Sequence, residues 1–169
     1  MDDTIIHFVH GKESGPWGSK IMHLAMIAKE LGFSYDSLDY SGLDKEQRVQ
    51  KLINNLPKNK NIILVGSSMG GWVSTRVAEL INLSGLFLMA PAINIKEYSA
   101  LNPNIDKNKL FVVHGWHDTV IPLEVSINFS KNLGCSLLIV DDDHRLNNKI
   151  NIIGENFLNF LLKIKCNKD

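Results

Sequence analysis

Short runs of apolar residues alternate along the whole chain with longer segments of helical periodicity. The runs are rich in β-branched, aromatic and leucine side chains, which favour strands. They lie at Thr4–Val9, Phe33–Tyr40, Asn61–Val65, Leu86–Ala90, Leu110–His114 and Leu137–Val140. Strands that alternate with helices in this way form a parallel sheet with helices on both faces. The pattern therefore predicts an α/β fold of three layers.

Five segments with apolar residues at helical spacing follow these runs. Gly32 is a candidate C-cap for the first segment, and Asp44 is a candidate N-cap for the second. The segments are Lys20–Leu31, Asp44–Leu56, Trp72–Ile81, Leu123–Leu133 and Lys149–Lys163. No internal repeat or low-complexity linker interrupts the alternation. We therefore expect residues 1–169 to form a single domain.

Charge and composition exclude several classes of partner. The chain has 18 basic and 18 acidic residues, so it lacks the basic field that nucleic acids or anionic membranes require. No apolar run reaches the roughly 20 residues of a membrane span, and Met1–Asp3 is acidic where a secretory signal is basic. Cys135 and Cys166 form no zinc or CxxC pattern. We expect a soluble cytoplasmic protein, monomeric or homodimeric, without metal or cofactor.

The most informative motif is Gly66-Ser67-Ser68-Met69-Gly70-Gly71, which lies between a predicted strand and a predicted helix. It fits the pattern G-x-S-x-G, in which a sharp turn packs its neighbours so tightly that glycine is needed on both flanks. The Ser68 hydroxyl would stand at the carboxyl end of the sheet. The Met69 N–H, at the start of the helix, would point at a developing oxyanion.

A phosphate-binding P-loop also joins a strand to a helix, so it is the main alternative for this motif. It ends in Gly-Lys-Ser/Thr, whereas Gly71 is followed here by Trp72 and Val73. Without the lysine and the magnesium-binding hydroxyl, the motif favours a nucleophilic serine.

A nucleophilic serine needs a base, and the base needs a group that orients it. Asp118 follows the fifth predicted strand within His114–Pro122, and His144 follows the sixth strand directly after three aspartates, Asp141–Asp143. Both would project from the sheet edge that carries Ser68. The order serine, acid, histidine is the usual one for such a turn. The aspartates themselves are typical of a solvated turn.

The other histidines have simpler interpretations. His7 and His23 lie within a strand and a helix, where a hydrogen-bonded structural imidazole is the usual case. His10 and His114 each precede a glycine at a strand end and are expected to brace loops. His117 precedes Asp118 and is expected at the surface.

These residues together resemble the α/β-hydrolase superfamily in its small form without a lid, which includes short-chain bacterial esterases and retinoblastoma-binding-type serine hydrolases. The resemblance covers nearly the whole chain and rests on His10-Gly11, Gly66–Gly70, His114–Pro122 and Asp143-His144. It implies that Ser68 is the nucleophile, Asp118 the acid and His144 the base. It also implies that the Lys12 N–H joins that of Met69 in an oxyanion hole.

The resemblance further implies a six-stranded, mainly parallel sheet in the order 2-1-3-4-5-6, because the run at Thr4 already carries the oxyanion loop. Between the fourth and fifth strands, Pro91–Lys109 has room for one short helix of about 8–10 residues and no cap domain. We expect an open, shallow substrate pocket. Its candidate lining residues are Trp17, Ala92, Ile93, Tyr98 and Trp116.

The sequence thus predicts a serine hydrolase that cleaves small carboxylic esters or thioesters through an acyl-enzyme. An amidase or peptidase would use the same three residues and stays open. So does a non-catalytic protein-binding module that keeps the fold without turnover.

Overall fold

A computed structural model of the chain describes residues 3–166. Met1 and Asp2, which begin the acidic N-terminus, lie outside the described residues. The strands are β1 (Thr4–Val9), β2 (Ser34–Ser37), β3 (Asn61–Ser67), β4 (Gly85–Met89), β5 (Leu110–Gly115) and β6 (Ser136–Val140). The helices are α1 (Ser19–Glu30), α2 (Lys45–Asn55), α3 (Met69–Leu80), α4 (Leu123–Leu133) and α5 (Ile150–Cys166). A 3-10 turn at Lys107–Lys109 precedes β5.

All six strands pair in parallel, in the order β2-β1-β3-β4-β5-β6. The predicted fold class and strand order are therefore confirmed. Val9 pairs with Gly66 at the carboxyl ends of β1 and β3, and Gly115 pairs with Val140 at those of β5 and β6. Because parallel strands end at one edge of the sheet, the loops after these four strands leave from the same side of the molecule.

The central strand β3 is buried on both faces, as its continuous apolar character predicts. Ile63 and Val65 pack into the core under α1 and α5, and Ile62 and Leu64 pack into the core under α2, α3 and α4. Alternation of side chains along a strand sends successive residues to opposite cores. The sheet therefore forms the middle layer of three.

The edge strand β2 is shorter than the run Phe33–Tyr40 predicts, because side chains take over its backbone hydrogen bonds. The Ser37 N–H donates to Asp36 Oδ1, and the Ser37 hydroxyl donates to the Pro16 carbonyl at 2.6 Å. Farther on, the Tyr40 N–H donates to the His10 ring. The chain therefore leaves the sheet after Ser37 and turns toward the loop that follows β1.

The segment Pro91–Lys109 has room for one short helix, and the structure shows what occupies it. In this fully described segment no α-helix forms, and a single bridge pairs Ile95 with Tyr98 instead. Asn94 and Lys96 have φ angles of 55° and 35°, which a right-handed helix does not accommodate. The connection between β4 and β5 is therefore an irregular loop that forms no lid.

Candidate active site

Ser68 lies at the turn between β3 and α3, in a strained backbone conformation with φ 54° and ψ −120°. Such a conformation costs on the order of 1–3 kcal/mol and persists only where the surroundings fix it. Here the Ser68 N–H donates to the Met89 carbonyl at 3.0 Å, and its own carbonyl accepts from the N–H groups of Gly71, Trp72 and Ala92. The neighbouring strand and the loop after β4 therefore hold the serine in place.

The two flanking glycines are required by packing. A Cβ on Gly66 would lie 2.6 Å from the Ser74 hydroxyl. One on Gly70 would overlap the Val9 carbonyl and lie 2.7 Å from the His10 carbonyl oxygen. The two glycines are thus needed because α3 and the end of β1 approach this turn so closely.

The structure brings together the three residues proposed for nucleophile, base and acid. His144 Nε2 lies 3.2 Å from the Ser68 hydroxyl, and His144 Nδ1 lies 2.7 Å from Asp118 Oδ2. Because the ionised carboxylate can only accept, Nδ1 carries the proton in the neutral ring and Nε2 presents its lone pair to the serine. The His144 side chain is 22% exposed, whereas that of Asp118 is fully buried. This geometry can remove a proton from the serine hydroxyl.

Asp118 accepts hydrogen bonds on both oxygens. The N–H groups of Val120 and Ile121 donate to Oδ1, each at 2.8 Å, and His114 Nε2 lies 3.2 Å from Oδ2. Burial raises the pKa of Asp118, but the hydrogen bonds from His114, His144 and the backbone outweigh that effect and hold it well below its ordinary value. The Asp118 carboxylate therefore stays ionised at neutral pH.

Asp142 organises the loop that carries His144. One carboxylate oxygen accepts from the Asp143 N–H and from the Asn148 side chain, and the other accepts from the Lys149 N–H at 2.8 Å. With 3% of its surface exposed, Asp142 departs from the predicted solvated turn. A Cβ on Gly115 would lie 2.7 Å from the Asp143 carbonyl oxygen, so glycine there lets this loop approach β5.

Lys20, which the sequence did not single out, ties α1 to the same loop. Its ammonium donates to the Arg145 carbonyl at 3.0 Å. Burial lowers the pKa of Lys20 to about 8, although Asp142, Asp118 and Asp143 nearby act in the opposite direction. No local pattern marks this lysine, because its partners lie more than 90 residues away in the sequence.

The loop after β1 lies against the serine, as the oxyanion-hole prediction requires. A Cβ on Gly11 would lie 3.6 Å from Ser68 Cβ, which is ordinary contact. Met69 is the first residue of α3, so its N–H has no acceptor within the helix. Lys12 directly follows Gly11, with its side chain exposed. The oxyanion roles of Lys12 and Met69 stay predictions.

The predicted pocket lining needs correction. Ala92 and Ile93 are only 1% and 2% exposed; Ile93 packs into the core under α2, α3 and α4, and Ala92 supports the Ser68 turn. Tyr98 packs edge-on against Trp72, with the ring centroids 6.2 Å apart. Buried side chains offer a ligand almost no surface. The pocket assignments of Ala92 and Ile93 are therefore wrong, because the Ala92 N–H donates to the Ser68 carbonyl and Ile93 packs into the core. Tyr98 is half-buried, and its pocket role stays a prediction.

Trp17 also lies elsewhere than predicted. Its ring packs against Tyr35 of β2 and lines an apolar hollow of about 260 Å³ together with Met22, Ala25 and Met26 of α1. None of the three hydrogen-bonded residues lines that hollow. Trp116, by contrast, is 58% exposed and lies two residues before Asp118. The pocket role of Trp116 stays a prediction.

Within residues 3–166, no group of three or more His, Cys, Asp or Glu side chains is arranged to hold a metal ion. No helix in the same part of the chain is both long and apolar enough to cross a membrane.

Comparison with known proteins identifies a family and a set of similar folds. The sequence profile described as Uncharacterised protein family (UPF0227) matches residues 5–135. No curated protein matches the chain. Among solved structures, a protein described as a hydrolase of the alpha/beta superfamily from Xanthomonas campestris pv. campestris is 29% identical. It superposes with a TM-score of 0.87, covering 96% of this chain and 99% of that chain.

Two more distant structures share the fold. Est1E from Butyrivibrio proteoclasticus, solved with ferulic acid bound, has a TM-score of 0.81 at 16% identity and covers 96% of this chain and 90% of its own. An α/β serine hydrolase without lid from Xanthomonas campestris has a TM-score of 0.76 at 15% identity, covering 96% and 82%. These likenesses agree with the strand order and with the missing cap.

Proposed function

We propose that this chain, which belongs to the UPF0227 family and to the α/β-hydrolase superfamily, is a serine hydrolase that cleaves carboxylic esters or thioesters. The observation that carries the proposal is the continuous hydrogen-bonded series Ser68, His144, Asp118. Three loops that are far apart in the sequence supply these side chains. Their donors and acceptors are arranged to move a proton from a hydroxyl to an imidazole.

In the first half of the reaction, Ser68 Oγ attacks the carbonyl carbon while its proton passes to His144 Nε2. The carbonyl oxygen becomes an oxyanion, and the ionised Asp118 stabilises the imidazolium that forms. When the intermediate collapses, the bond to the leaving group breaks. That alkoxide or thiolate takes the proton from His144, and the acyl group stays on Ser68.

In the second half, a water molecule replaces the serine as nucleophile. His144 takes one proton from the water as its oxygen attacks the acyl carbon, and returns that proton to Ser68 Oγ as the acyl–serine bond breaks. The products are a carboxylic acid and the regenerated enzyme. The N–H groups of Met69 and Lys12 would bind the oxyanion in both halves, which is usually the largest single contribution to the rate.

The open surroundings of the serine support small or exposed acyl groups as substrates. The loop at 91–109 contains no α-helix that could form a cap, and the exposed Trp116 lies two residues before Asp118 in the loop after β5. An acyl group could pack on that ring while its carbonyl reaches the serine. The equal numbers of acidic and basic residues provide no field that would steer a polyanionic substrate.

Covalent labelling tests the proposal at its most specific point. A fluorophosphonate probe should label the wild-type chain and the Ser67→Ala variant but not Ser68→Ala. Ser67 is the matched control because it is the neighbouring serine of the same motif. Hydrolysis by Ser68→Ala should fall by about 10⁴-fold or more. Wild-type protein that neither labels nor turns over would instead favour the binding module.

A substrate panel separates the chemical classes. The panel contains p-nitrophenyl esters and thioesters of increasing acyl length, the matching anilides, and methyl ferulate, all compared at equal enzyme concentration. Methyl ferulate is included because one structural neighbour holds ferulic acid. Short esters or thioesters should have the highest kcat/KM. Faster cleavage of anilides would identify an amidase, and a preference for long chains would contradict the open site.

A further inference from the structure

Arg48 is a fully buried arginine at the back of the loop that follows β1. It lies in the first turn of α2, whose start is fixed by a capping box between Asp44 and Gln47. Only 1% of its surface is exposed. Arginine is almost never buried without a charged partner, yet among the described residues no carboxylate forms an ion pair with this guanidinium. So costly a placement needs a physical reason.

The partners of the guanidinium are backbone carbonyls. Nη1 donates to the carbonyl of His10 at 2.9 Å and to that of Gly11 at 3.2 Å, and Nε donates to the carbonyl of Leu43 at 3.1 Å. The cation also lies over the Tyr40 ring, 5.6 Å from its centroid. Two of the three carbonyls belong to the loop that packs against the serine. Arg48 therefore fixes the path of that loop.

His10 provides a second donor to the Gly11 carbonyl. Its Nε2 accepts the Tyr40 N–H at 2.9 Å, so the proton of the neutral ring is on Nδ1. Nδ1 lies 2.8 Å from the Gly11 carbonyl oxygen and donates to it. Burial lowers the pKa of His10, which favours this neutral form. The Gly11 carbonyl is thus held from two directions.

Holding this carbonyl also fixes the next N–H. The Gly11 carbonyl and the Lys12 N–H belong to one planar trans peptide, and they point to opposite sides of it. With the carbonyl turned toward Arg48, the Lys12 N–H must point away from Arg48. We propose that Arg48 and His10 are positioning residues that orient the Gly11–Lys12 peptide so that its N–H faces the oxyanion. This inference rests on the proposed hydrolase function.

The charge of Arg48 adds an electrostatic contribution to this orientation. The guanidinium lies at the carbonyl end of the peptide, so it polarises the peptide and makes the N–H end more positive. A dipole aligned in this way stabilises negative charge that develops at the N–H end, and the effect is stronger in a poorly hydrated interior. Asp39 is the carboxylate whose negative charge acts on the Arg48 guanidinium. Its side chain is 62% exposed, so solvent screens this interaction.

Three variants separate orientation and charge from simple structural support. Arg48→Gln keeps a donor but removes the charge, and Arg48→Lys keeps the charge but not the fork that spans two carbonyls. Arg76→Gln is the matched control, because it makes the same change on α3 at a partly exposed arginine paired with Glu79. The measurements are kcat and KM with p-nitrophenyl acetate, the affinity for a trifluoromethyl ketone, and the Lys12 amide resonance.

We expect the Arg48 variants to stabilise the transition state less well while binding the substrate as before. Arg48→Gln should lower kcat by on the order of 10²-fold with little change in KM. It should also lower the affinity for the trifluoromethyl ketone by a similar factor and shift the Lys12 amide resonance. Arg48→Lys should lie between it and wild type, and Arg76→Gln should match wild type. If Arg48→Gln fails to fold, Arg48→Lys decides the question by the same three measurements.

Two outcomes would overturn the inference. One is a folded Arg48→Gln or Arg48→Lys with wild-type kcat, and the other is an unchanged Lys12 amide resonance in both variants. The amide resonance also separates this inference from the function on which it rests. If wild-type protein hydrolyses no ester, the proposed function fails, while a displaced Lys12 resonance still shows that Arg48 orients the peptide.

Discussion

The Nε2 atom of His114 lies 3.2 Å from Oδ2 of Asp118, the same oxygen that accepts the hydrogen bond of His144. His114 is fully buried, and its Nε2 is also 2.9 Å from the Ile121 carbonyl, which can only accept. Nε2 therefore carries a proton, and Nδ1 lies 2.7 Å from the Ser126 hydroxyl. A buried imidazole N–H thus supports the carboxylate that contacts His144.

Removing this support should reduce the rate without weakening substrate binding. In His114→Leu, the Asp118 carboxylate loses a donor on the oxygen that orients His144. We expect kcat for p-nitrophenyl acetate to fall by on the order of tenfold or more at unchanged KM. His114→Gln, whose amide can restore a donor to Asp118, should recover part of the loss.

The serines of α4 provide the control for that prediction. Ser126→Ala should lower kcat by about fivefold, the value of one ordinary hydrogen bond. Ser130→Ala makes the same change one turn later at a position of similar burial, and it should leave kcat unchanged. Equal effects of the two alanine variants would contradict a role of His114 in supporting the acid.

Replacing the acid itself tests the assigned tautomer. In Asp118→Asn, an amide that donates to His144 Nδ1 would force the ring proton onto Nε2, where it faces Ser68 and blocks proton removal. We expect kcat to fall by on the order of 10⁴-fold. Asp141→Asn is the control, because Asp141 is an exposed carboxylate of the loop after β6 that pairs with His117 instead of His144. Comparable losses in both variants would contradict the assignment of Asp118.

The fold and the three hydrogen-bonded residues could be foreseen because their signals are local. Ser68, Asp118 and His144 each follow an apolar strand directly, and parallel strands bring such positions to one edge. The prediction needed only the order of strands and the chemistry of the side chains. It needed no knowledge of which way a loop folds.

Residues whose role depends on contacts distant in the sequence could not be foreseen. Arg48 acquires its role from carbonyls 37 and 38 residues away, and Lys20 from a carbonyl 125 residues away. The sequence predicts Ala92 and Ile93 in the pocket, but the Ala92 N–H donates to the Ser68 carbonyl and both side chains are buried. The pattern of residues along the sequence does not show which distant segments come into contact.

Replacing Gly70 tests whether close packing requires glycine at this position of the motif. A Cβ at this position overlaps the Val9 carbonyl, and neither backbone segment can move without displacing Ser68 or β1. We expect Gly70→Ala to lower the free energy of unfolding in urea by at least about 3 kcal/mol. Gly15→Ala, where nothing lies within 4 Å of the added Cβ, should change it by less than about 1 kcal/mol. A Gly70→Ala protein of wild-type stability would contradict the close approach.

His7 gives the fold a dependence on pH that is separate from catalysis. It is 2% exposed, and neither ring nitrogen has a hydrogen-bond partner within residues 3–166. Burial lowers the pKa of His7, with Asp36 acting weakly in the opposite direction. On acidification the unfolded chain therefore takes up a proton first, near pH 6.5, while the folded chain stays neutral. Stability is complete above that pH and is lost as the pH falls below it.

His10, whose pKa burial also lowers, contributes in the same direction, so the dependence reflects two imidazoles. Urea unfolding between about pH 5 and pH 8 should show a slope of up to about 1.4 kcal/mol per pH unit for each. His7→Leu should remove one of the two contributions, and it should raise stability at neutral pH by about 1–2 kcal/mol because two unpartnered nitrogens disappear. A His7→Leu protein with the wild-type slope would show that His7 is already protonated, or hydrated, in the folded chain.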